Sequence, residues 1–286
     1  MIPPEVLKNI KKIEISTRSL VQNIFSGEYH SMFKGSGLEF SEVRKYSPGD
    51  DVRKIDKNVS ARMGEPYIKL FDEERDLSLV LVVDISSSTL IAQNKKRKRE
   101  IIQELAAVMA FSAGLNNDKV SLLLFSDEVE KVVKAGKGKK HAMRILRDIY
   151  MSDAKNKKTS IAQAMKFILK LYKRRSIIVI ISDFYDNNYL RELKQVSRKH
   201  DVVALNIVDK VMWPKSGFLN VEDIEIGTGS SNLIDLAKVS KDSTTVNVQD
   251  KTRDIMKASR VDYIELTMDG NHFNELSKFW KKRIGR

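Results

Sequence analysis

The chain has 286 residues, 42% of them hydrophobic and 31% charged, a balance that suits a folded protein of one large domain, or one domain with an appendage, and excludes a disordered one. It contains no cysteine, which excludes disulfides, thiolate metal sites and cysteine nucleophiles and makes a reducing cytoplasm the expected location. The net charge of +13 is dispersed over Lys95–Arg99, Lys139–Lys140, Lys157–Lys158, Lys173–Arg175 and Lys281–Arg283. Such clusters read as solvated helix ends and loops; a basic face for nucleic acid or an anionic membrane is the other reading, although no nucleic-acid motif accompanies the charge.

From the N-terminus, residues 4 to 25 set Val6, Ile10, Ile13, Leu20 and Ile24 along one helical stripe, closed by Gly27, which predicts an amphipathic helix packed on the main body. The alternative, a membrane-surface helix, fits less well because the polar face mixes acids with bases. The opening MIPPEVLKNIKKIEIS carries acids and lacks an uninterrupted apolar core, so it does not read as a signal peptide. Residues 27 to 76 are rich in glycine, charge and isolated aromatics with no sustained period, which predicts irregular structure with short strands, best marked at Tyr67 to Phe71. The predicted boundaries are therefore 1–76 for the N-terminal helix and motif segment and 77–286 for the main domain.

After Asp76 strands and helices alternate. Leu77 to Val83 is a continuous valine-rich run, as expected of a central strand covered on both faces. A helix over Glu100 to Leu115 follows, then a hairpin of Lys119 to Phe125 and Val129 to Lys134, then helices at His141 to Tyr150 and Ser160 to Tyr172. Ile177 to Ile181 is a second buried strand, Leu190 to Lys199 a helix and Val202 to Val208 a third strand. Between Val211 and Ser240 short strands interrupt the alternation, at Leu219 to Ile226 and Leu233 to Ala237. A helix at Val248 to Ser259, a strand at Tyr263 to Thr267 and a last helix carrying Phe273, Leu276, Phe279 and Trp280 complete the chain. The pattern predicts an α/β fold with an open, mostly parallel sheet and helices on both faces. The longest apolar runs, Ser78 to Ile85 and Ile177 to Ile181, fall far short of the roughly 20 residues that span a bilayer, so no transmembrane segment is expected.

Two acids sit where such a sheet places its ligands: Asp84 ends the first buried strand and Asp183 ends the second. Asp84-Ile-Ser86-Ser-Ser88 sets a carboxylate and two hydroxyls at alternating positions of a strand-to-loop turn, an oxygen donor set that suits a hard cation such as Mg²⁺. Ser160-Ile-Ala-Gln163 has the form of a capping box, which leaves the Thr159 hydroxyl outside the helix for another task. Taken singly, the serine triplet reads equally well as a polar loop, Asp183 as a turn residue and Thr159 as the cap. Their combination and order favour a common centre.

Asp84-x-Ser86-x-Ser88, Thr159 and Asp183 resemble the metal-ion-dependent adhesion site of von Willebrand factor A domains, including the separations of about seventy and then about two dozen residues. The resemblance implies a von Willebrand factor A-like, Rossmann-type sheet. Ser86, Ser88 and Thr159 would touch a Mg²⁺ (or Mn²⁺ or Ca²⁺) directly, Asp84 and Asp183 would act through water, and one position would be left for an Asp or Glu carboxylate from a partner protein. Upstream, Gly27-Glu-Tyr-His-Ser31, Gly35-Ser-Gly37, Glu39-Phe40, Arg44-Lys-Tyr46, Pro48-Gly-Asp-Asp51, Arg53-Lys-Ile-Asp56 and Ser60-Ala-Arg62 are similar to the bacterial domain of unknown function 58 family. Ser182-Asp-Phe184 also resembles that family's third metal motif. Lys57 departs from the pattern, which usually has tryptophan there; the change bears on local packing and not on the metal residues. Members of that family are often associated with MoxR-type AAA+ ATPases, so the resemblance implies an adaptor or client-presenting role in protein assembly.

Asp50, Asp51, Arg53, Asp56 and Arg62 are expected to form buried ion pairs that fasten the motif segment to the sheet, with a partner-binding surface as the other reading. His30 reads as a structural histidine, having no second His or Cys at metal spacing. The chain is not expected to be an enzyme. Ser86 has no flanking glycines and no histidine nearby in the sequence, and no P-loop or dinucleotide glycine motif is present. Two alternatives stand beside the metal-dependent protein-binding module: a Mg²⁺-dependent phosphoester hydrolase and a basic scaffold for nucleic acid or anionic lipid.

Overall fold

The computed structural model describes residues 38–73, 78–90, 92–93, 96–152, 158–186, 188–208, 218–222, 231–235, 244–268 and 270–284. The helix expected over residues 4 to 25, His30 and the motif residues before Leu38 lie outside the described residues. Two compact units divide the chain, one within Phe33–Leu77 and one from Ser78 onward.

In the smaller unit, β1 (Leu38–Lys45) pairs antiparallel with β2 (Tyr67–Glu73), with a register shift between Phe40 and Glu42. Between them run a 3-10 turn (Val52–Lys54) and α1 (Lys57–Met63). The strand expected at Tyr67 to Phe71 is present within β2, whereas β1 and α1 go beyond the irregular structure expected. The acids of this segment make local contacts. Asp51 accepts from the Arg53 N–H at 3.0 Å and Asp56 from the Asn58 and Val59 N–H groups at 2.9 and 3.2 Å, so both acids cap helical turns. Asp50 instead holds Arg44 bidentately at 2.7 and 2.8 Å, and the hydrogen bonds from Arg44 and Ser47 hold its carboxyl below the usual range. Arg53 and Arg62 are exposed, as is Lys57 at the first turn of α1.

The larger unit is built on a six-stranded sheet. Its strands, in chain order, are β3 (Leu79–Asp84), β6 (Val120–Phe125), β7 (Val129–Gly136), β8 (Ile177–Ser182), β9 (Asp201–Val208) and β12 (Asp262–Thr267). Two short antiparallel pairs account for the remaining numbers: β4 (Ala92–Gln93) with β5 (Lys96–Arg97), and β10 (Phe218–Glu222) with β11 (Ser231–Asp235). The spatial order in the sheet is β12-β9-β8-β3-β6-β7, parallel throughout except for the edge strand β7, which returns antiparallel beside β6. All six residues of β3, β6 and β8 are buried, the burial that a continuous apolar run requires and an alternating one does not.

Helices cover both faces. On one, Val80, Val82, Leu123, Phe125, Ile178 and Ile180 pack against α4 (Ile161–Leu171), α5 (Leu190–Lys199) and Met256 of α6 (Thr244–Ser259). On the other, α2 (Lys98–Leu115) lies over the sheet and against α3 (Gly138–Met151), joined by Ala107, Phe111 and Leu146. Gly114 lets these two helices approach closely, since a Cβ there would stand 2.8 Å from the Ala142 Cβ. The last helix, α7 (His272–Ile284), buries Leu276 and Trp280, and its Arg283 pairs with Asp262 at 2.7 Å and with Asp201. Among the described residues no helix is long and apolar enough to cross a membrane.

The strand order fixes where a ligand belongs. From β3 the chain moves outward through β6 and β7, then returns to the other side of β3 as β8 and continues to β9 and β12. The direction reverses between β3 and β8, and loops leaving the carboxyl ends of those two strands diverge to form a crevice. Asp84 and Asp183 stand at those two ends.

Candidate metal centre

Asp84 is the last residue of β3, and its side chain has no solvent exposure. One of its carboxylate oxygens accepts from the Ser86 N–H at 2.9 Å, and the other accepts from the Ser182 hydroxyl at 2.5 Å. The first contact folds the chain out of the strand and starts the 3-10 turn Ser87–Leu90. The second ties the ends of β3 and β8 together across neighbouring register positions. Burial pushes the Asp84 carboxyl up to about 7, and the nearby Asp183 charge adds to the shift; hydrogen bonds from Ser182 and Ser86 oppose it.

The Ser86 and Ser88 hydroxyls lie 3.1 Å apart, and Ser88 donates onward to Asp183 Oδ1 at 3.1 Å. Four of the five residues singled out from the sequence thus form one hydrogen-bonded chain, although 95 positions separate Ser88 from Asp183. Asp183 sits just past β8, and Phe184 after it takes a left-handed backbone (φ 53°) while fully buried. That conformation costs a non-glycine residue about 1 kcal/mol or more. The Phe184 N–H to Ser182 Oγ bond at 2.9 Å and the Asp186 N–H to Phe184 O bond at 2.8 Å hold it.

Thr159 reaches the same end of the sheet through its loop. Ser160 next to it donates its N–H to the Ser126 carbonyl, just past the end of β6, at 2.8 Å, and its hydroxyl caps α4 by accepting from the Gln163 N–H. The Ser160 half of the expected capping box is thus formed, while the Ser160 N–H goes to Ser126. Asp186, from the loop after β8, accepts the Ile161 N–H at 2.8 Å, so the loops bearing Thr159 and Asp183 are joined. This is an ordinary way to satisfy one of the orphan donors at a helix start, and here it also fixes the spacing of two candidate ligands.

Two residues of the site were not singled out from the sequence, Asp186 and Lys98, and Ser182 was singled out only as part of the Ser182-Asp-Phe184 motif. Lys98 lies in the lysine cluster read as solvated. In the structure it is 9% exposed, and its ammonium stands 3.2 Å from Asp183 Oδ2. The correction has a simple cause. Lys98 opens α2 on the same stripe as the buried Ile101, Ile102 and Leu105, so the helix turns it inward.

The donor set is therefore carboxylate and hydroxyl oxygen only, as a hard divalent cation prefers, and the ammonium beside Asp183 marks a place that takes positive charge. Among the described residues no group of three or more His, Asp or Glu side chains is poised to hold a metal, so the hydroxyls are integral to any cation site here.

Comparison with known proteins agrees with this architecture. The chain is 29% identical over 239 residues to the uncharacterized protein Rv1480 of Mycobacterium tuberculosis, covering 82% of this chain and 75% of that protein. Among solved structures it is similar to the conserved hypothetical protein BatB of Bacteroides thetaiotaomicron, with 17% identity, a TM-score of 0.50 and coverage of 73% of this chain and 100% of that one. The VWA domain of SpRpn10 is another neighbour, at 10% identity, a TM-score of 0.45 and coverage of 72% and 94%. The fold is von Willebrand factor A-like. The family described as "Protein of unknown function DUF58" matches residues 42–251, most of the chain, and the protein belongs to that family.

Proposed function

We propose that the protein is a metal-dependent protein-binding module in which Asp84, Ser86, Ser88, Thr159 and Asp183 hold a divalent cation, Mg²⁺ by donor chemistry, with Mn²⁺ or Ca²⁺ as substitutes. The observation that carries this reading is the hydrogen-bonded chain that links Asp84 to the Ser86 N–H, and the Ser86 hydroxyl through Ser88 to Asp183, at the switch point of the sheet. A bound cation would supply a Lewis-acidic point at which a carboxylate from a partner protein is captured. The protein's own groups do the rest. Ser182 and the Ser86 N–H fix the Asp84 carboxylate, Ser88 fixes that of Asp183, and Asp186 holds the Thr159 loop against the third motif. Tyr185, two residues past Asp183 and 52% exposed, offers an aromatic surface of the kind that interfaces favour.

In this reading the module is not a catalyst. Hydroxyl ligands leave the cation electrophilic toward a carboxylate and bring little of the machinery that activates water. The resemblance to the family supports a MoxR-type AAA+ ATPase as partner and an adaptor or client-presenting role. The test is a pull-down from native lysate with wild type and Asp84→Ala, in Mg²⁺ and in chelator. The expected result is a partner retained only by wild type in Mg²⁺; retention unchanged by chelator or by the substitution overturns the proposal.

A further inference from the structure

We infer that Lys98 is an internal competitor at the cation site: a tethered ammonium that neutralises Asp183 when no divalent cation is bound and lowers the affinity of the cation that replaces or joins it. The inference rests on the cation reading above and assigns the residue that sets the strength of that site.

The Asp183 side chain is 3% exposed and that of Lys98 is 11% exposed. Both oxygens of the carboxylate are engaged, Oδ1 by the Ser88 hydroxyl at 3.1 Å and Oδ2 by the Lys98 ammonium at 3.2 Å. Ser88 is itself bonded to Ser86, so the lysine attaches to the end of the same oxygen chain that forms the candidate site. A buried carboxylate needs a positive partner, and the structure supplies one as an ion pair from a side chain of the same protein. A divalent cation that uses Asp183 must share a single negative group with that ammonium. Like charges around one buried carboxylate repel far more strongly than in water, so the lysine opposes cation binding.

The geometry also permits release. A lysine is a compact charge on a flexible four-carbon stem, able to retract where a planar guanidinium would stay hydrogen-bonded in place. Lys98 is the first residue of α2, and that helix packs on β3. Movement of the ammonium is therefore felt at the start of a helix that lies against the strand bearing Asp84. An ordinary structural ion pair would have the same distance and burial, but it predicts the opposite response. Removing a purely structural lysine leaves cation affinity equal or lower, whereas removing a competitor raises it.

The test is Mn²⁺ binding to the full chain, read from the loss of the free-ion paramagnetic resonance signal. Wild type, Lys98→Met, Lys98→Gln and Lys98→Arg are compared, with Asp84→Ala as the control for the site. The two neutral variants are expected to bind Mn²⁺ at least about tenfold more tightly than wild type, with Lys98→Arg binding no more tightly than wild type. Saturating Mn²⁺ should also raise the melting temperature of the neutral variants more than that of wild type. Where Lys98→Met fails to fold without cation, Lys98→Gln, which keeps an N–H donor for Asp183, supplies the comparison. Equal or weaker Mn²⁺ binding in the neutral variants, with Asp84→Ala still abolishing it in wild type, overturns this inference alone. Absence of binding in every protein overturns the cation reading and this inference with it.

Discussion

Replacing Asp84 by asparagine should remove a loss of stability with rising pH from the cation-free protein. Asp84 is fully buried, and burial together with the Asp183 charge lifts its carboxyl from the ordinary 3.8 to about 7. Between those values the folded protein keeps a proton that the unfolded chain has released. Folding then takes up a proton, so stability falls as pH rises from about 4 to 7 and levels off above it. Across that window the loss is on the order of a few kcal/mol. Asparagine keeps an acceptor for the Ser86 N–H and an amide facing the Ser182 hydroxyl, which can turn to accept, while removing the charge. Urea denaturation in chelator at intervals from pH 5 to 8.5 is the assay, with the midpoint compared at constant slope. Wild type should lose stability along this range relative to Asp84→Asn, and the variant should be the more stable protein at pH 8. Saturating Mg²⁺ should remove the wild-type deficit, because a cation that binds only the folded state adds stability. Parallel profiles for the two proteins in chelator would refute the reasoning.

Asp186→Ala removes the acceptor for the Ile161 N–H. It should cost about 1 kcal/mol of stability and weaken Mn²⁺ binding by freeing the Thr159 loop, which calorimetric titration checks. Gly114→Ala places a Cβ 2.8 Å from the Ala142 Cβ. The overpacking, about 1–3 kcal/mol, exceeds the gain of about 1 kcal/mol in helix propensity, so the melting temperature should fall. His200 is 3% exposed, and burial, with the Lys199 charge beside it, lowers its imidazole to about 4. The folded state refuses a proton that the unfolded chain accepts near 6.5, so stability should be full above about pH 6.5 and decline toward pH 4; His200→Leu should flatten that part of the acid limb in a denaturation series.

The main sheet was legible because its signals are local. Leu79–Val83 and Ile177–Ile181 are unbroken apolar runs and Val202–Val208 is broken only by Asn206, and only a doubly covered strand buries every residue of such a run. The hairpin at Val120–Phe125 and Val129–Gly136 and the Ser160 cap were equally readable, since a turn and a capping hydroxyl act within a few residues. Leu38–Lys45 was not, because its alternation breaks after Phe40, where the register shifts, and it pairs with Tyr67–Glu73, a partner more than twenty residues away. That Asp51 and Asp56 cap helical turns was not read, because an acid before a short helical turn looks the same as one awaiting an arginine. At the candidate site, Asp84, Ser86, Ser88 and Asp183 were singled out through strand ends and spacing, and the structure joins them by hydrogen bonds. Lys98 was hidden within a run of basic residues, and the clue to its burial was its place three, four and seven residues before Ile101, Ile102 and Leu105.

Crystals grown in MnCl₂ and measured at the manganese absorption edge address the central claim most directly. The account predicts one strong anomalous peak among Ser86, Ser88 and Thr159, with Asp84 and Asp183 around it and a remaining position open to solvent or to a neighbouring carboxylate. Manganese bound elsewhere on the protein, with those five side chains holding no ion at saturating concentration, would contradict it.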